Sequence, residues 1–556
     1  MANVKDNEKS REEIIPGFVE EGKEFTSLSG IPVKPYYTQA DVDAIDYEKE
    51  VGDPGTAPFV RGNYPEGYRR KLWYIRQISG MNTPEWANER MKFLFERGQD
   101  SFCPAYDQVT KWGLDPMDDR VKYEIGNCGV GLDTKEDYAS LFKDIPLERI
   151  NVTIDSPIES HVQMLCEFFT FAEEYGMKLK TLHGNSSNCP MFSAFTAPGI
   201  DLIPPDAIVK LFGDVVEWCC RNVPNWHPLL VNGYVIREAG VNAYQEVAYN
   251  FITAEAIIDE VIKRETVEVD QFLPGIIFNF SAHTDFFEEI AKFRAAKKVW
   301  YKLMKEKYQP KRDSSCMLRY HVQTAGSSYA SREPLNNIIR GTLESLSAAL
   351  GGVQSMMVCS CDEGLGLPLQ GTALLAVRTQ QILQHETNVT NIVDPLGGSY
   401  YIEHLTNEME KKIWDYREKI IQAGGFVKGL TSGWIPSEFR KEQAKNQSAL
   451  DTGKIKLVGV NCFESAEEHI ELPAMYEERV NIEGNLEYER EKLEKLKKER
   501  DNNKVQKALD ELLDVAKSGE NVMPATMNAV KVLATSAEIS DVWRKAYGIW
   551  QSPCFA

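Results

Sequence analysis

The 556-residue sequence lacks the features of several protein classes. It has no run of about 18 apolar residues, the length that a membrane-spanning helix needs, and its N-terminus, MANVKDNEKSREE, has no apolar signal core. The 11 cysteines form no CxxC pair, and their odd number suits free thiols in a reducing compartment. We therefore expect a cytoplasmic protein that has no membrane partner.

Positive charge is also scarce. The sequence has 63 Lys and Arg residues against 83 Asp and Glu residues, a formal net charge of −20 at pH 7. Such a charge repels nucleic acids and anionic membranes, so we expect neither as a partner. Apolar residues make up 43% and aromatic residues 10% of the chain, which excludes general disorder.

Motifs of three common enzyme classes are absent. No GxGxxG follows the first predicted strand, which disfavours a dinucleotide-binding open sheet. Neither HExxH nor a close His/Asp/Glu ligand set occurs, so the sequence predicts no metal site. A GxSxG turn is also missing, which disfavours a serine hydrolase.

Short strand patterns alternate with longer helix patterns between residue 61 and about residue 425. Eight strands are predicted: SFCPAYD (101–107), RINVTID (149–155), KTLHGN (180–185), LLVNGYVI (229–236), GIIFNFSAH (275–283), MLRYHVQTA (317–325), SMMVCSCDE (355–363) and TNIVDP (390–395). Helix patterns between them include 160–176, 242–264, 286–308 and 334–352. Eight such units indicate an α/β fold, a (β/α)8 TIM barrel, with a doubly wound open sheet as the alternative.

The barrel has an extension at each end. Residues 1–60 are polar and contain Pro and Gly (SGIPVKPYY), which predicts an extended N-terminal arm. Residues 426–556 predict a linker and a C-terminal helical region, in which the charged segment 483–519 is interpreted as a solvated helix.

The stretch LLVNGYVIREAG (229–240) joins the fourth predicted strand to a helix. Since TIM barrels place their chemistry at the C-terminal ends of the strands, Tyr234 and Glu238 are candidate site residues. The alternative is that Tyr234 plugs the barrel mouth and Glu238 caps a helix. Polar residues at the other strand ends extend the predicted binding site: Asp107, Asp155, His183, Asn185, His283, His321, Gln323, Thr324, Asp362 and Glu363.

The segment before the first predicted strand, RGNYPEGYRRKLWYIRQISGMNTPEW (61–86), mixes cations with flat rings. Arginine and lysine bind phosphates, and aromatic rings stack on adenine, so this segment suits a ligand that contains a nucleotide. A solvated basic face with a few core aromatics is the alternative. The residues concerned are Arg61, Arg69, Arg70, Lys71 and Arg76 with Tyr64, Tyr68, Trp73 and Tyr74.

Five stretches together resemble one family: RGNYPEGYRRKLWYIRQISG, NGYVIREAG, FFEEIAKFRAA, RYHVQTAG and VDPLGGSYYIE. In this order and spacing they are similar to the catalytic large subunit of adenosylcobalamin-dependent acyl-CoA mutases, the methylmalonyl-CoA mutase family. The resemblance covers about residues 55–425, and the tail from residue 455 is similar to stand-alone large subunits such as 2-hydroxyisobutyryl-CoA mutase. It implies a (β/α)8 barrel threaded by the pantetheine of coenzyme A and a radical 1,2-rearrangement of an acyl-CoA thioester.

The resemblance also implies a cofactor and partners. The family's cobalamin domains carry a DxHxxG motif whose histidine ligates cobalt, but none of the eight histidines here has Asp two residues before it. We therefore expect a separate small subunit to bind adenosylcobalamin, and a homodimer of large subunits within a heterotetramer.

Several site residues match family positions. By this resemblance Tyr64, Lys71 and Arg76 bind coenzyme A, with Lys71 in place of a usual arginine. His321 and Gln323 match positions along the coenzyme A and substrate path. Tyr234 matches the family's tyrosine beside the thioester. Glu238 and Glu363 match its two carboxylates near the adenosyl ribose.

Other positions depart from the family pattern. Ile78 stands where methylmalonyl-specific members have Tyr, and Ala197 or Pro198 falls near the place of their carboxylate-binding arginine. No Lys or Arg occurs between residues 180 and 210, and an unpaired buried carboxylate costs several kcal/mol. The pattern therefore disfavours methylmalonyl-CoA as substrate.

Three more departures make the predicted pocket less polar. Ala105 replaces the aspartate of 2-hydroxyisobutyryl-CoA mutases, Ser187 replaces a glutamine, and Val235 replaces a histidine that donates to the thioester oxygen. Such a pocket favours a branched, bulky or uncharged acyl group. The alternative is a catalytically silent subunit that only supports an active one.

Overall fold

The computed structural model describes residues 25–155, 159–188, 191, 194–195, 197, 200–464 and 481–553. Its centre is one parallel sheet, in which hydrogen-bonded neighbours follow the order β1-β9-β8-β7-β6-β5-β4-β3-β2. The strands are β1 (Tyr74–Ile75), β2 (Ile78–Ser79), β3 (Ser101–Pro104), β4 (Asn151–Asp155), β5 (Gly184–Asn188), β6 (Trp226–Asn232), β7 (Ile276–Ala282), β8 (Arg319–Thr324) and β9 (Ser355–Met357).

The two ends of the sheet meet in one chain segment. The first half of residues 74–79 pairs with β9, where Tyr74 lies opposite Ser355, and the second half pairs with β3, where Ile78 lies opposite Cys103. Between them the Arg76 amide donates to the carbonyl of Met356 at 2.9 Å. The segment therefore closes the sheet into the (β/α)8 barrel that the sequence predicts.

Two strand predictions are corrected. The sequence analysis missed the strand at 74–79, and the predicted strand at 390–395 is wrong, because Val389–Asn391 form a 3-10 helix. Asp394 in that segment has a φ of 47° and accepts a hydrogen bond from Arg61 Nε at 2.9 Å. The segment is thus a turn held by ion pairs. The third predicted strand also begins later, at Gly184, after a 3-10 helix at Leu179–Thr181.

Helices follow the strands and surround the barrel. One of the longest helices begins at a recognisable cap: the Asn242 side chain accepts from the Gln245 amide at 3.2 Å in a capping box that opens Ala243–Lys263. The helices are α1 (Pro84–Phe95), α2 (Gln108–Lys111), α3 (Lys135–Leu141), α4 (His161–Glu174), α5 (Pro205–Asn222), α6 (Tyr234–Glu238), α7 (Ala243–Lys263), α8 (Val269–Phe272), α9 (Phe286–Leu303), α10 (Asn336–Gly351), α11 (Gln370–His385), α12 (Tyr400–Gln422), α13 (Gly425–Thr431), α14 (Trp434–Asp451), α15 (Ile482–Glu499), α16 (Asn502–Ser518), α17 (Met523–Lys531) and α18 (Ser536–Tyr547).

The apolar core lies between the strands and these helices. On β7, Phe278 faces outward, and its ring centroid lies 4.8 Å from that of Trp300 on α9. Strand residues that point the other way, into the barrel interior, include polar ones such as Asn279 on β7 and His321 on β8. Most TIM barrels fill this interior with branched apolar side chains. Here the polar interior leaves room for ligand-sized cavities.

Both extensions contact the barrel helices. In the arm, the Ser29 amide donates to Glu288 Oε2 at 2.9 Å. At the other end, Trp543 on α18 donates through its indole nitrogen to Gln163 on α4 at 3.1 Å. Residues 1–24, 465–480 and 554–556 of the predicted extensions lie outside the described residues, and the predicted boundaries at residues 60 and 425 remain predictions.

The charged segment 483–519 is not one solvated helix. It forms two helices, α15 and α16, which break at Arg500 and Asp501. Leu493 and Leu512 are buried, at 1% and 0% exposure, so one side of each helix packs into the protein. Among the described residues, no helix combines the length and the apolarity that crossing a bilayer requires.

Candidate active site

Two cavities occupy opposite ends of the barrel. The upper cavity, of about 250 Å³, is lined by the last residues of several strands, including Ser79, Asp155 and Asn232. The lower cavity, of about 620 Å³, is lined by residues where strands begin, including Asn151 and Arg319. Both volumes suit small-molecule ligands.

The three residues predicted to be catalytic meet around one glycine. A Cβ atom placed on Gly326, which follows β8, would lie 3.1 Å from the Tyr234 hydroxyl, 3.4 Å from Glu238 Oε2 and 3.4 Å from Glu363 Cγ. The chain separates these residues by up to 129 positions, since Tyr234 and Glu238 are on α6 and Glu363 follows β9. The glycine keeps open a space that all three side chains border.

The two carboxyl groups of this site titrate close to neutral pH. Burial raises the pKa of Glu238 to about 7, although the Ser327 amide and hydroxyl donate to it at 2.7 and 3.1 Å and oppose the shift. Burial, with a contribution from neighbouring Asp362, likewise raises the pKa of Glu363 to about 7. Both groups can therefore accept or share a proton with a polar ligand near pH 7.

Cys359 connects Tyr234 with Gln323. Its thiol donates to the carbonyl of Thr324 at 3.1 Å, while its sulfur lies 3.9 Å from the Tyr234 hydroxyl and 3.8 Å from Gln323 Nε2. Burial raises the pKa of Cys359 well above its usual value, so the thiol stays protonated. The sequence analysis missed this residue, although its place just after β9, four residues before Glu363, was a signal for it.

Four residues predicted to bind the acyl group line the upper cavity: Ile78, Ala105, Ser187 and Val235. Ala197 does not join them. Its side chain is buried in an apolar cluster with Val109 and Trp112, so it packs behind the barrel mouth. Pro198 lies outside the described residues.

Arg76 and His321 lie in the barrel interior. Arg76 is 4% exposed and donates to Thr153 Oγ1 at 2.7 Å. No carboxylate among the described residues lies within 4.0 Å of it, and burial lowers its pKa. The imidazole Nδ1 of His321 is 2.8 Å from Ser355 Oγ, whereas Nε2 has no partner among the described residues. Burial and the nearby Arg76 charge lower the pKa of His321, which keeps the ring neutral.

The lower cavity is strongly basic. Tyr64 and Lys71, both predicted to bind coenzyme A, line it, and Lys71 Nζ lies 4.1 Å from the ring centroid of Tyr74. Lys297 also lines it, and burial lowers the pKa of this lysine to about 7. Six lysines and arginines line the cavity against two acids, Glu148 and Asp394, and Asp394 already pairs with Arg61. Such a cavity suits an anionic ligand. The six basic residues are Arg61, Arg70, Lys71, Arg149, Lys297 and Arg319, of which Lys297 is only partly charged near neutral pH.

Comparison with known proteins identifies the family. The family described as methylmalonyl-CoA mutase matches residues 26–549. The chain belongs to the methylmalonyl-CoA mutase family. As a member it is classed with the isomerases, and the five stretches of the sequence analysis that indicated this family fall within the matched range.

Individual relatives of this family share about a third of their residues with the chain. Methylmalonyl-CoA mutase of Cereibacter sphaeroides is 36% identical over 527 residues, which cover 94% of the chain and 72% of the relative. The 2-hydroxyisobutanoyl-CoA mutase large subunit of Aquincola tertiaricarbonis is 34% identical over 535 residues, 96% of the chain and 93% of the relative. Mitochondrial methylmalonyl-CoA mutase of Homo sapiens is 33% identical over 524 residues, 93% of the chain and 68% of the relative.

Proposed function

We propose that the chain is the large subunit of an adenosylcobalamin-dependent acyl-CoA mutase, which rearranges the carbon skeleton of a branched or bulky acyl-CoA. The observation that carries this proposal is the meeting of Tyr234, Glu238 and Glu363 around Gly326 at the barrel mouth. A tyrosine and two carboxyl groups with raised pKa values give the polar contacts that a thioester and a ribose need.

Coenzyme A enters from the lower cavity in this proposal. Lys71 and its neighbouring cations bind the phosphates, and Tyr64 offers a ring beside the adenine. The pantetheine then runs along the polar barrel interior past His321, whose Nε2 has no hydrogen-bond partner among the described residues. Arg76 and Gln323 meet the thioester end of the ligand in the upper cavity.

The mouth of the barrel fits the adenosyl group of the cofactor. Glu238 and Glu363 can accept hydrogen bonds from ribose hydroxyls, and Gly326 leaves space between them that a Cβ atom would fill. Bound adenosylcobalamin would supply the organic radical that removes a hydrogen atom from the acyl group. The chain's own residues position the thioester and keep water out of the reaction.

A separate small subunit holds the cobalamin in this proposal, and two large subunits complete a heterotetramer. Two observations support the division. No histidine of this sequence has the Asp-x-His spacing of the cobalt-binding motif, and the chain covers 93% of a relative named as a large subunit. Some other relatives are mutases without a subunit designation, of which the chain covers 72% or 68%. The nine described cysteines are free, which supports a reducing cytoplasmic location.

The acyl group differs from methylmalonyl in this proposal. Ile78, Ala105 and Val235 give the upper cavity apolar wall positions, and residues 181–209 contain no lysine or arginine. Val235 also motivates the alternative of a silent scaffold subunit, because an apolar side chain there cannot donate to a thioester oxygen.

One assay tests the proposal against this alternative. The chain is mixed with a cognate cobalamin-binding subunit, adenosylcobalamin and a panel of branched acyl-CoA thioesters, and isomer formation is followed by mass spectrometry. We expect isomer from at least one thioester, and none when either the cofactor or the small subunit is omitted. If no thioester of the panel gives an isomer, although the same small subunit is active with another large subunit, only the scaffold alternative remains. Turnover by the chain alone would contradict the division into subunits.

A further inference from the structure

A buried carboxyl group that the proposed function does not use lies behind the barrel mouth. Glu344 is on α10, the helix that follows β8, and it is 2% exposed. Its Oε1 lies 2.6 Å from the Ser328 hydroxyl, whereas Oε2 has no hydrogen-bond partner among the described residues. Burying a carboxyl group costs free energy that an apolar side chain at the same place would not cost. We therefore asked what this contact does.

Glu344 reaches the mouth through a short turn. The 3-10 helix Gly326–Ser328 follows β8, and we call it the mouth turn. Its exposed residue Ser327 donates through the amide and the hydroxyl to Glu238 at 2.7 and 3.1 Å. The next residue, Ser328, is 3% exposed and contacts Glu344. Adjacent serines of the mouth turn thus connect Glu238 with Glu344.

Glu344 is neutral at physiological pH. Burial raises the pKa of its carboxyl group well above the usual value, although the contact with Ser328 opposes the shift. Two further carboxyl groups, Glu289 on α9 and Glu238 on α6, also raise it, because a negative charge nearby disfavours a second one. The side chain therefore has both a donor and an acceptor to offer.

The proton on Glu344 fixes the direction of the hydrogen bonds. The Ser328 hydroxyl has one hydrogen, and it lies 2.8 Å from the carbonyl of Ala325 as well as close to Glu344. A neutral Glu344 donates to Ser328 Oγ, so the Ser328 hydrogen is left for Ala325. An ionised carboxylate would only accept and would compete for that hydrogen. The neutral form therefore ties α10 to the start of the mouth turn by two hydrogen bonds in series.

A second side chain of α10 holds the far end of this segment. Asn337 is fully buried, and it accepts from the Ala330 amide at 3.0 Å and donates to the Ala330 carbonyl at 2.8 Å. It also donates at 2.8 Å to the carbonyl of Cys361, in the loop that carries Glu363. The far end is thus anchored to α10 by Asn337, and Glu344 anchors the part that carries Ser327.

We propose that Glu344 is a positioning residue, which holds the mouth turn in the arrangement that fixes Glu238 at the barrel mouth. This role rests on the proposed function, since Glu238 needs a fixed place only if the mouth binds the ligands of a mutase. Glu344 acts through Ser328 and Ser327. The same donors of Ser327 oppose the rise in the pKa of Glu238, so the arrangement of the turn also affects the charge of Glu238.

Hydrogen–deuterium exchange tests the contact on the chain alone. The readout is the exchange rate of a peptide that covers residues 325–330, in which the Ser327 amide donates to Glu238 and the Ser328 and Tyr329 amides donate within the segment. Glu344→Met keeps the size but removes the hydrogen bonds, and we expect exchange at least about threefold faster. Glu344→Gln keeps a donor and an acceptor and should stay within about twofold of the native rate.

Turnover of the assembled protein tests the positioning role. Glu344→Met should lower kcat by about fivefold or more and leave the KM for the acyl-CoA within about twofold, and Glu344→Gln should restore kcat. Because the effect passes through Glu238, Glu344→Met should lower kcat by less than about twofold when Glu238→Ala is already present. A purely structural role would lower kcat by the same factor in both backgrounds.

Ser345→Ala is the matched control. Ser345 is buried beside Glu344 on α10, and its hydroxyl donates to the carbonyl of Gly341 in the same helix at 2.5 Å. This variant should keep the native exchange rate and the native kcat. If Glu344→Met fails to fold, as thermal denaturation would show, Ser328→Ala carries both tests, because it removes the same contact from the side of the turn.

The outcomes separate the positioning role from the proposed function. Unchanged exchange in Glu344→Met overturns the role, whatever the turnover. Faster exchange with an unchanged kcat also overturns it, as does a Glu344→Gln variant that behaves like Glu344→Met, and all three results leave the mutase proposal standing. If the native protein shows no turnover with a small subunit that is active beside another large subunit, the proposed function fails and the positioning role fails with it.

Discussion

The hydroxyl of Tyr234 lies 3.9 Å from the sulfur of Cys359. The thiol donates to the carbonyl of Thr324 at 3.1 Å, so its sulfur lone pairs remain available to Tyr234 and to Gln323 Nε2 at 3.8 Å. Sulfur contacts of this kind are weak, at about 0.5–1 kcal/mol each. Cys359 is therefore a positioning residue, which orients two side chains that face the cavity.

Replacing Cys359 by alanine should lower kcat about two- to fivefold and leave the affinity for the acyl-CoA nearly unchanged. The expected size follows from the loss of one or two weak contacts to Tyr234 and Gln323. Steady-state kinetics of the assembled protein measure it, with Cys316→Ala as the control because Cys316 is also buried, whereas the sulfur contacts to Tyr234 and Gln323 are made by Cys359. A drop confined to affinity would show that Cys359 shapes the pocket and does not position Tyr234.

Arg76→Met should change stability and binding in opposite directions. The guanidinium is buried without a carboxylate within 4.0 Å among the described residues, so an apolar side chain should leave the melting temperature unchanged or raise it. Acyl-CoA binding should weaken by about 1.5–3 kcal/mol, the range for a hydrogen bond to a charged group. Calorimetry and thermal melts measure the two effects, with Arg221→Met on the outside of α5 as the control. A lower melting temperature with unchanged affinity would assign Arg76 to the fold.

Val235→His should reduce activity on the native substrate by about tenfold or more. The imidazole would occupy an apolar wall of the upper cavity and lose its hydrogen bonds to water, at a cost of about 1–3 kcal/mol. Small acyl-CoA thioesters should lose less, because the histidine can donate to their thioester oxygen. Val235→Leu is the control, since it adds volume without polarity. Equal losses in the two variants would attribute the effect to size.

The stability of the Glu238→Gln variant relative to the native chain should increase as the pH rises from 5 to 8. Because burial raises the pKa of Glu238 from 4.5 to about 7, the folded chain keeps a proton that the unfolded chain releases. The contribution of Glu238 to the free energy of unfolding therefore falls by about 1–3 kcal/mol between about pH 4.5 and pH 7, after discounting for partial exposure, and changes little above pH 7. The glutamine variant lacks this loss.

Thermal melts of the native chain and Glu238→Gln at pH 5 and pH 8 measure the difference. The melting temperature of the variant minus that of the native chain should increase with pH. The exposed Glu494→Gln should show no such trend. A difference that stays constant between the two pH values would mean that Glu238 is not protonated in the folded chain near neutral pH.

The barrel was predictable because most of its strands are apolar runs between helices of clear periodicity. The strand at 74–79 was missed because Arg76 and Gln77 interrupt its apolar pattern, and both point to partners inside the protein. The run TNIV at 390–393 is apolar enough for a strand, but Asp394 pairs with Arg61 and turns the chain.

The candidate site was predictable where side chains follow strand ends, as Tyr234, Glu238 and Glu363 do. Arg90 and Lys111 also line the upper cavity, and the sequence analysis did not predict this because both lie within helical segments, where the sequence does not reveal which side chains face the cavity. Ala197 was placed in the site by its position in the family pattern, whereas the structure buries its side chain in an apolar cluster with Val109 and Trp112.

The most direct test of the proposed mutase is the rate of isomer formation by the assembled protein with native Tyr234 and with Tyr234→Phe. Assembly requires a cognate cobalamin-binding subunit, adenosylcobalamin and the thioester that the native protein turns over best, and mass spectrometry follows the isomer. We predict measurable native turnover, a fall of about 10²-fold in Tyr234→Phe and little change in Tyr249→Phe, whose hydroxyl contacts Tyr416 at 2.9 Å away from the cavities. If Tyr234→Phe leaves the native turnover unchanged, the proposed active site is wrong. If the native protein shows no turnover with a small subunit that is active beside another large subunit, the proposal that the chain is an enzyme is wrong.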